Sequence, residues 1–532
     1  MTNETVDDET TESGSRLHAG YTPREGAPVT APGYDRQACG TGIVHLGIGA
    51  FQRAHQAVYT DEVLARQGGD WKILGVSLRS AGVRDQLNPQ DGLYTLVEMG
   101  APAARYRIVG AVGGVLVAPE DPAAVLQALT AASCKIISLT ITEKGYCHDP
   151  ASGHLNRQHP DILHDLHTPA APKTAIGFIV EALHRRRRQD APIPTILCCD
   201  NLPSNGTTLK RIAVEFARAR DAQLAAWIDS RVPFPNTMVD RIVPATQAED
   251  IADLQRVCGY RDLGMVKAEG FSQWVIEDNF SAGRPAWEAV GATLVSDVEP
   301  FELAKLRLLN GTHSSLAYLG FLAGYEFVHQ VMEDGDFVAF LRGLMNTEVI
   351  PGLVAPEGVD LATYADSLLQ RFANPSLRHR TYQIAMDGSQ KLPQRLLGTL
   401  RDQLAAGGDI EHLALAVAGW LRYVMGVDEH GAVIAVQDPM AALLREIGAP
   451  GVEQQGIKQQ ARARPDAGGL VDAYLEVSAV FGTDLRGDDR FKNRLTHWLG
   501  ELLAQGVTGT LKTFRTRPGA GGDHSRENSE NS

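Results

Sequence analysis

Gly42-Ile-Val-His-Leu-Gly-Ile-Gly49-Ala-Phe-Gln-Arg-Ala-His55 decides how the first half of this chain folds. Ile43 to Leu46 is a short run rich in apolar and β-branched residues, which predicts a buried strand. Gly47 and Gly49 follow at the spacing of a tight turn, and a helix is predicted over Ala57–Arg66. Backbone without Cβ atoms can approach an anion closely, and a helix start offers unpaired N–H groups to it. Strand, glycine turn and helix in this order predict the first βα unit of a dinucleotide-binding fold, with the pyrophosphate at Gly47 and Gly49. Gln52 stands where G-x-G-x-x-G has its third glycine, so the turn alone also fits an ordinary strand–turn–helix.

Outward from this turn, short apolar runs (Ile43–Leu46, Lys72–Val76, Lys135–Ile141, Thr195–Cys199) alternate with helical patterns (Ala123–Ala131, Ala175–Arg188, Thr208–Ala217). Alternating β and α elements predict a mostly parallel, doubly wound sheet. From about residue 300 to 512 the spacing is helical, as in Phe337–Met345, Leu361–Arg371, Leu392–Leu404 and His412–Met425. The expected fold class is therefore α/β: an N-terminal Rossmann-like domain over 36–297 and a mainly α-helical substrate domain over 298–514. The polar, Gly- and Pro-rich ends, 1–35 and 515–532, are expected to be disordered tails. A ligand cleft is expected at the seam of the two domains, because such seams commonly hold one.

With 532 residues, 44% apolar and 21% charged, the chain has the composition of a soluble globular protein. A net charge of −14 argues against nonspecific binding to nucleic acid or anionic membrane. No run of 18 apolar residues predicts a membrane span, and the acidic start of the chain does not read as a secretion signal. Six cysteines at irregular spacing fit neither a zinc site nor a disulfide framework, so reduced thiols, no metal and a cytoplasmic location are expected.

Phe301-Glu-Leu-Ala-Lys-Leu-Arg-Leu-Leu-Asn-Gly-Thr-His313 holds the chemistry. On an α-helix Glu302, Lys305, Asn310 and His313 fall within roughly 140° of one face. Leu306, Leu308 and Leu309 predict burial, and desolvation disfavours an ammonium. A lysine that readily loses its proton suits abstraction of an alcohol proton. Asn310 would donate its amide to the same oxygen, and Glu302 would carry the proton away. An amphipathic helix with a snorkelling lysine is the structural alternative.

These blocks, with Thr140-Ile-Thr-Glu-Lys-Gly-Tyr146, Cys199-Asp-Asn-Leu-Pro-Ser-Asn-Gly206, Phe234-Pro-Asn-Thr-Met-Val-Asp-Arg-Ile-Val-Pro244 and Gln273-Trp-Val-Ile-Glu-Asp-Asn-Phe280, resemble the mannitol dehydrogenase family of polyol-specific long-chain dehydrogenases. The resemblance runs from about residue 40 to about residue 500 and keeps the family's order of motifs. It implies an NAD-dependent, metal-independent oxidoreductase. It implies Asn201 as a second amide donor beside Lys305 and Asn310, and His313, Asp240 and Lys391 as substrate-binding residues. Ala50, Phe51 and Arg53 join the glycines at the cofactor, with Glu143 near the nicotinamide.

The segment from Arg371 to Arg395 resembles the fructuronate reductase (D-mannonate oxidoreductase) branch. Gln383 stands where mannitol and arabinitol dehydrogenases usually carry arginine, while Arg378, His379 and Arg380 add positive charge upstream. Arg378, Arg380 and Lys391 are thus the candidates to meet a substrate carboxylate, Arg378 first among them, since arginine binds a carboxylate in a fork. The expected activity interconverts D-fructuronate and D-mannonate. The alternatives are a mannitol-, sorbitol- or arabinitol-type dehydrogenase and an inactive nucleotide-binding relative. Ser77-Leu-Arg-Ser80 lacks the acid that selects NAD after a second strand, so Arg79 leaves NADP open beside the NAD that the resemblance implies. Expected partners are a small sugar acid or polyol, with neither nucleic acid nor membrane; oligomeric state is not legible.

Overall fold

Five strands carry the first half of the chain: β1 (Thr41–Leu46), β2 (Lys72–Ser77), β3 (Val112–Val117), β4 (Ile136–Leu139) and β5 (Thr195–Cys198). All neighbours are parallel and the order is β3-β2-β1-β4-β5. This is the doubly wound order, with its switch point between β1 and β4. The computed structural model describes residues 15–23, 26–100, 103–149, 153–448 and 466–517, and the chain divides into two units at Glu299/Pro300.

Side-chain alternation along the strands explains why both faces of this sheet are covered. Val44, Leu46, Ile137, Leu139, Ile196 and Cys198 pack into one core with helices Pro122–Thr130, Ala175–Arg188 and Asn205–Arg220. Ile43, Ile73, Ile136 and Leu197 point the other way, onto helix Gln56–Gln67. Strands buried on both faces read as continuous apolar runs, as these do. A four-stranded sheet (Val29–Thr30, Arg105–Val109, Tyr94–Met99, Val266–Glu269) and a three-stranded one (Thr293–Val295, Gln273–Glu277, Thr237–Asp240) complete this unit.

The expectation of a tail over 1–35 is corrected where the chain is described. Leu17 is fully buried, Arg16 donates to Asp85 O and Gln86 O, and Val29 pairs with Tyr106 in a sheet. A few apolar anchors and edge-strand pairing fix a segment whose composition alone is polar. Residues 1–14 and 518–532 lie outside the described residues. At the other end, helix Asp489–Arg515 and the contacts of Arg515 with Asp336 and of Arg517 with Glu411 hold residues 515–517 in the second unit.

The second unit is helical. Thr312–Leu322 and Glu411–Val424 are its central helices, and from Leu413 to Val424 every residue is buried. A helix apolar on all sides belongs in the middle of a core. The helices are not uniformly α. Lys305–Gly311, Leu344–Val349 and Pro393–Leu397 are π-helical, with i→i+5 hydrogen bonds. All six cysteines are buried thiols without disulfide partners. Among the described residues no helix is long and apolar enough to cross a membrane, and no group of three or more His, Cys, Asp or Glu is placed to hold a metal.

Candidate active site

The glycine turn lies at the carboxyl end of β1, beside the switch point. Gly47 has φ +91°, and a Cβ there would sit 2.2 Å from the carbonyl oxygen of Thr140. Both its backbone angle and the neighbouring β4 loop demand glycine. Gly49 differs: its φ of −100° is open to any residue, and an added Cβ would find no atom nearer than Gly47 O at 3.8 Å. The fold does not need glycine at 49. A bare surface at the start of a helix is what close approach of a pyrophosphate needs, so the turn fits a dinucleotide.

Beneath the turn His45 bridges Ser138 Oγ (2.8 Å) and Thr140 Oγ1 (2.9 Å), and Thr140 Oγ1 donates to Gly47 O (3.0 Å). Burial pulls the His45 imidazole down to a pKa of about 3, so it is a neutral pin. Ala50 opens the short helix Ala50–Ala54, and Phe51 stacks on His55 (5.1 Å, 14°). Arg53 is turned into the protein. Its guanidinium donates to Gly49 O (3.2 Å) and to Gly264 O and lies over the Tyr94 ring, which makes it a tie across the turn. At the end of β2, Ser77 Oγ donates to Ser80 O (2.6 Å) and Arg79 is exposed.

The loops after β4 and β5 carry the next two expected residues. Glu143 is exposed at the start of the 3-10 turn Glu143–Tyr146, and Asn201 is exposed between β5 and helix Asn205–Arg220. Asn205 anchors that second loop: its amide nitrogen donates to Asp200 O (3.0 Å) and Thr237 O (3.0 Å), and its oxygen accepts from Thr237 N (2.9 Å). Asp240 ends strand Thr237–Asp240, is buried, and lies opposite Gln273 in the antiparallel register. Its neighbour Arg241 has other partners: Glu98 (2.7 Å), Ala54 O (2.6 Å) and Glu269 O (2.9 Å).

In the second unit Lys305 is buried and starts the π-helical stretch that ends at Gly311. This changes the sequence geometry. Five residues on an α-helix put Lys305 and Asn310 about 140° apart, whereas an i→i+5 repeat stacks them on one side. Two π-helical stretches meet here: a Cβ on Gly311 would lie 2.7 Å from Arg395 O, in Pro393–Leu397. Glu302 is partly buried on helix Glu299–Ala304, one turn before the lysine.

His313 follows in the first turn of Thr312–Leu322. It is buried, stacked on Phe372 (4.9 Å, 17°) and met edge-on by His379 (5.0 Å, 70°). Burial first, then the interaction with His379 and the charges of Arg395, Arg371 and Lys391, push its pKa well below the usual histidine value. Its Nε2 is buried without a hydrogen-bond partner among the described residues. A neutral imidazole with an orphaned nitrogen is ready to exchange a hydrogen bond with a hydroxyl. His379 is likewise held neutral, at about 4, by burial and by Lys391.

The basic residues expected near the substrate divide. Residues 378 to 380 lead from a 3-10 turn into helix Thr381–Ala385, and neighbouring side chains there point to opposite sides. His379 faces His313, while Arg378 and Arg380 are exposed over the Phe327 ring (5.0 and 5.4 Å), Arg380 also paired with Glu326 (2.7 Å). Lys391 belongs to the His313 side; its Nζ donates to Met386 O (2.6 Å). Arg395, which donates to Ser314 Oγ (3.0 Å), was missed in the sequence, as was Arg371. The four-residue spacing of Lys391 and Arg395 is the signal that could have found the first.

A parallel sheet ordered about a glycine turn, with a buried lysine on a separate helical unit, defines a nucleotide-dependent oxidoreductase of two units. Residues 41–289 match the mannitol dehydrogenase Rossmann domain and residues 297–503 the mannitol dehydrogenase C-terminal domain; the chain belongs to the mannitol dehydrogenase family. It is 48% identical over 490 residues to the uncharacterized oxidoreductase YeiQ of Escherichia coli K12, covering 91% of this chain and 97% of that protein. It is 46% identical over 484 residues to the D-mannonate oxidoreductase of the same organism, covering 90% and 97%. Among solved structures, Pseudomonas fluorescens mannitol 2-dehydrogenase in ternary complex with NAD and D-mannitol superposes with a TM-score of 0.82 at 39% identity, covering 92% of this chain and 97% of that one.

Proposed function

We propose that this protein is an NAD-dependent fructuronate reductase, interconverting D-fructuronate and D-mannonate at the keto carbon. Bound NAD supplies the hydride acceptor for oxidation and NADH the donor for reduction. Gly47 and Gly49 cradle its pyrophosphate, and the NAD complex of the mannitol 2-dehydrogenase relative supports this cofactor. Ala50, Phe51 and Glu143 complete the nucleotide contacts, and Arg53 shapes the turn from behind.

Lys305 takes the hydroxyl proton during oxidation and returns it during reduction. Its burial on a π-helical stretch, with Asn310 brought to the same side, supports that role. Asn310 and Asn201 donate amide hydrogens to the oxygen as its negative charge grows. Glu302 relays the proton outward. His313, neutral and with Nε2 to offer, and Asp240 bind substrate hydroxyls.

One observation carries the choice of a sugar acid. Lys391, Arg395 and Arg371 gather their positive charge around His313 in the helical unit. A carboxylate is the substrate group that uses such charge, by charge-assisted hydrogen bonds. We assign that contact to these three rather than to Arg378 and Arg380, whose guanidiniums lie over Phe327. The D-mannonate oxidoreductase relative supports the same choice. A polyol 2-dehydrogenase is the second reading, favoured by the superposition on mannitol 2-dehydrogenase. NADH turnover with fructuronate, tagaturonate and fructose in parallel tests between them; faster turnover of fructose would replace the first reading by the second.

A further inference from the structure

Thr142 has φ 61° and ψ 162°, a backbone region that is nearly exclusive to glycine and is strained for a β-branched residue. It stands where the chain leaves β4, one residue before Glu143. Such a conformation persists only where the surroundings over-determine it. Here one side chain does so. Asp200, at the end of β5, accepts hydrogen bonds from Ile141 N (2.8 Å), Thr142 N (3.1 Å) and the Tyr146 hydroxyl (2.7 Å). It thus grips the β4 loop at its beginning and at its end. Asp200 is itself held from behind, because Asn205 Nδ2 donates to its carbonyl oxygen and to that of Cys198.

We infer that Asp200 is a positioning residue for hydride transfer, fixing the β4 loop that carries Glu143 against the β5 loop that carries Asn201. The inference rests on the reading that these two loops serve the reacting end of the substrate. Asp200 touches no reacting atom; it acts by keeping Thr142 strained and the two loops in one register. Its carboxylate is specific to the task. One oxygen accepts from Ile141 N and Tyr146, the other from Thr142 N. An asparagine that keeps the first oxygen must present an NH2 group to the Thr142 N–H, donor against donor. Thr142 N then loses its acceptor, leaving only the Gly145 N–H on its carbonyl oxygen (2.9 Å) among these bonds, and the residue relaxes. Burial holds the Asp200 pKa above the usual carboxylate value, and the three donors offset that only in part.

The test uses the full-length enzyme, with NADH and whichever keto-sugar the wild type turns over fastest. Asp200→Asn should lower kcat on the order of 10²-fold, the effect of a misplacement of about 1 Å. Its Kd for NADH should stay within about threefold of wild type, and the deuterium isotope effect from labelled NADH on kcat should rise, since hydride transfer becomes slower than product release. The double variant Thr142→Gly/Asp200→Asn should recover about tenfold of the loss, because glycine adopts φ 61° without help. Tyr146→Phe, which removes one bond of three, should fall in between. The inference is overturned if Asp200→Asn keeps wild-type kcat, if its loss comes with an unchanged isotope effect, or if Thr142→Gly restores nothing. Should Asp200→Asn fail to fold, Thr142→Gly and Tyr146→Phe decide alone: a Tyr146→Phe enzyme with unchanged kcat and isotope effect overturns it. A wild type inactive on every keto-sugar instead removes the functional reading on which it rests.

Discussion

Gly47 and Gly49 are two residues apart and should respond to alanine in opposite ways. At 47 the added methyl meets Thr140 O at 2.2 Å on a backbone with φ +91°. The left-handed conformation costs an L-residue about 1–2 kcal/mol and overpacking against backbone about 1–3 kcal/mol more, so Gly47→Ala should lose about 2–5 kcal/mol of stability. At 49 the methyl meets nothing within 3.8 Å and φ is −100°. Gly49→Ala should therefore be as stable as wild type, or up to about 1 kcal/mol more so through a less flexible unfolded chain. On the proposed function, its methyl instead occupies the face that the pyrophosphate would approach. A clash of about 1–3 kcal/mol corresponds to a Kd for NADH raised roughly 5- to 150-fold. Urea unfolding gives the first quantity and NADH fluorescence titration the second. The reasoning is refuted if Gly49→Ala binds NADH like wild type, or if Gly47→Ala unfolds at the wild-type urea concentration.

Lys305→Ala should lower turnover about 10²–10⁴-fold while NADH affinity stays unchanged; near-normal turnover at neutral pH would remove the lysine from the mechanism. Arg395→Ala and Lys391→Ala should each lower the ratio of kcat/KM for fructuronate over that for fructose, by about 2–5 kcal/mol if the carboxylate is left buried and unpaired, whereas Arg378→Ala should leave the ratio alone. Acid should destabilise the fold through its neutral histidines. His379 titrates at about 4 when folded against about 6.5 unfolded, so the unfolded chain binds the proton first and stability falls as pH drops below 6.5. Between pH 6.5 and 5 this group contributes a loss on the order of 1–2 kcal/mol, and His379→Gln should unfold with a correspondingly flatter pH dependence over that range.

Much of the first unit was legible because its signals are local. Ile43, Val44 and Leu46 made a buried strand, Gly47 marked the turn, and Ala175–Arg188 is a helix over the residues its spacing predicts. Four apolar runs became four parallel strands, displaced at their ends by a residue or two. The motif around Lys305 was legible as residues but not as geometry. A π-helical stretch differs from an α-helix by the hydrogen-bond partner of a few amides, and Leu308 and Leu309 are buried in either form. Arg378 and Arg380 were legible as charge, yet the direction in which they point depends on local backbone that composition does not reveal. Asp200 could not be read at all. Its partners lie some sixty residues earlier, and only the pairing of β4 with β5 brings them together. Residues 15–23 and 26–35 read as part of a tail because few of them are apolar, while Leu17 and Val29 are buried anchors there.

NADH oxidation by the wild-type enzyme, measured side by side with fructuronate and fructose, tests the assignment most directly. A metal-independent fructuronate reductase with basic residues around His313 should show the higher kcat/KM on fructuronate, since only that substrate carries the carboxylate. Equal or faster turnover of fructose would contradict the sugar-acid assignment and leave a polyol dehydrogenase in its place.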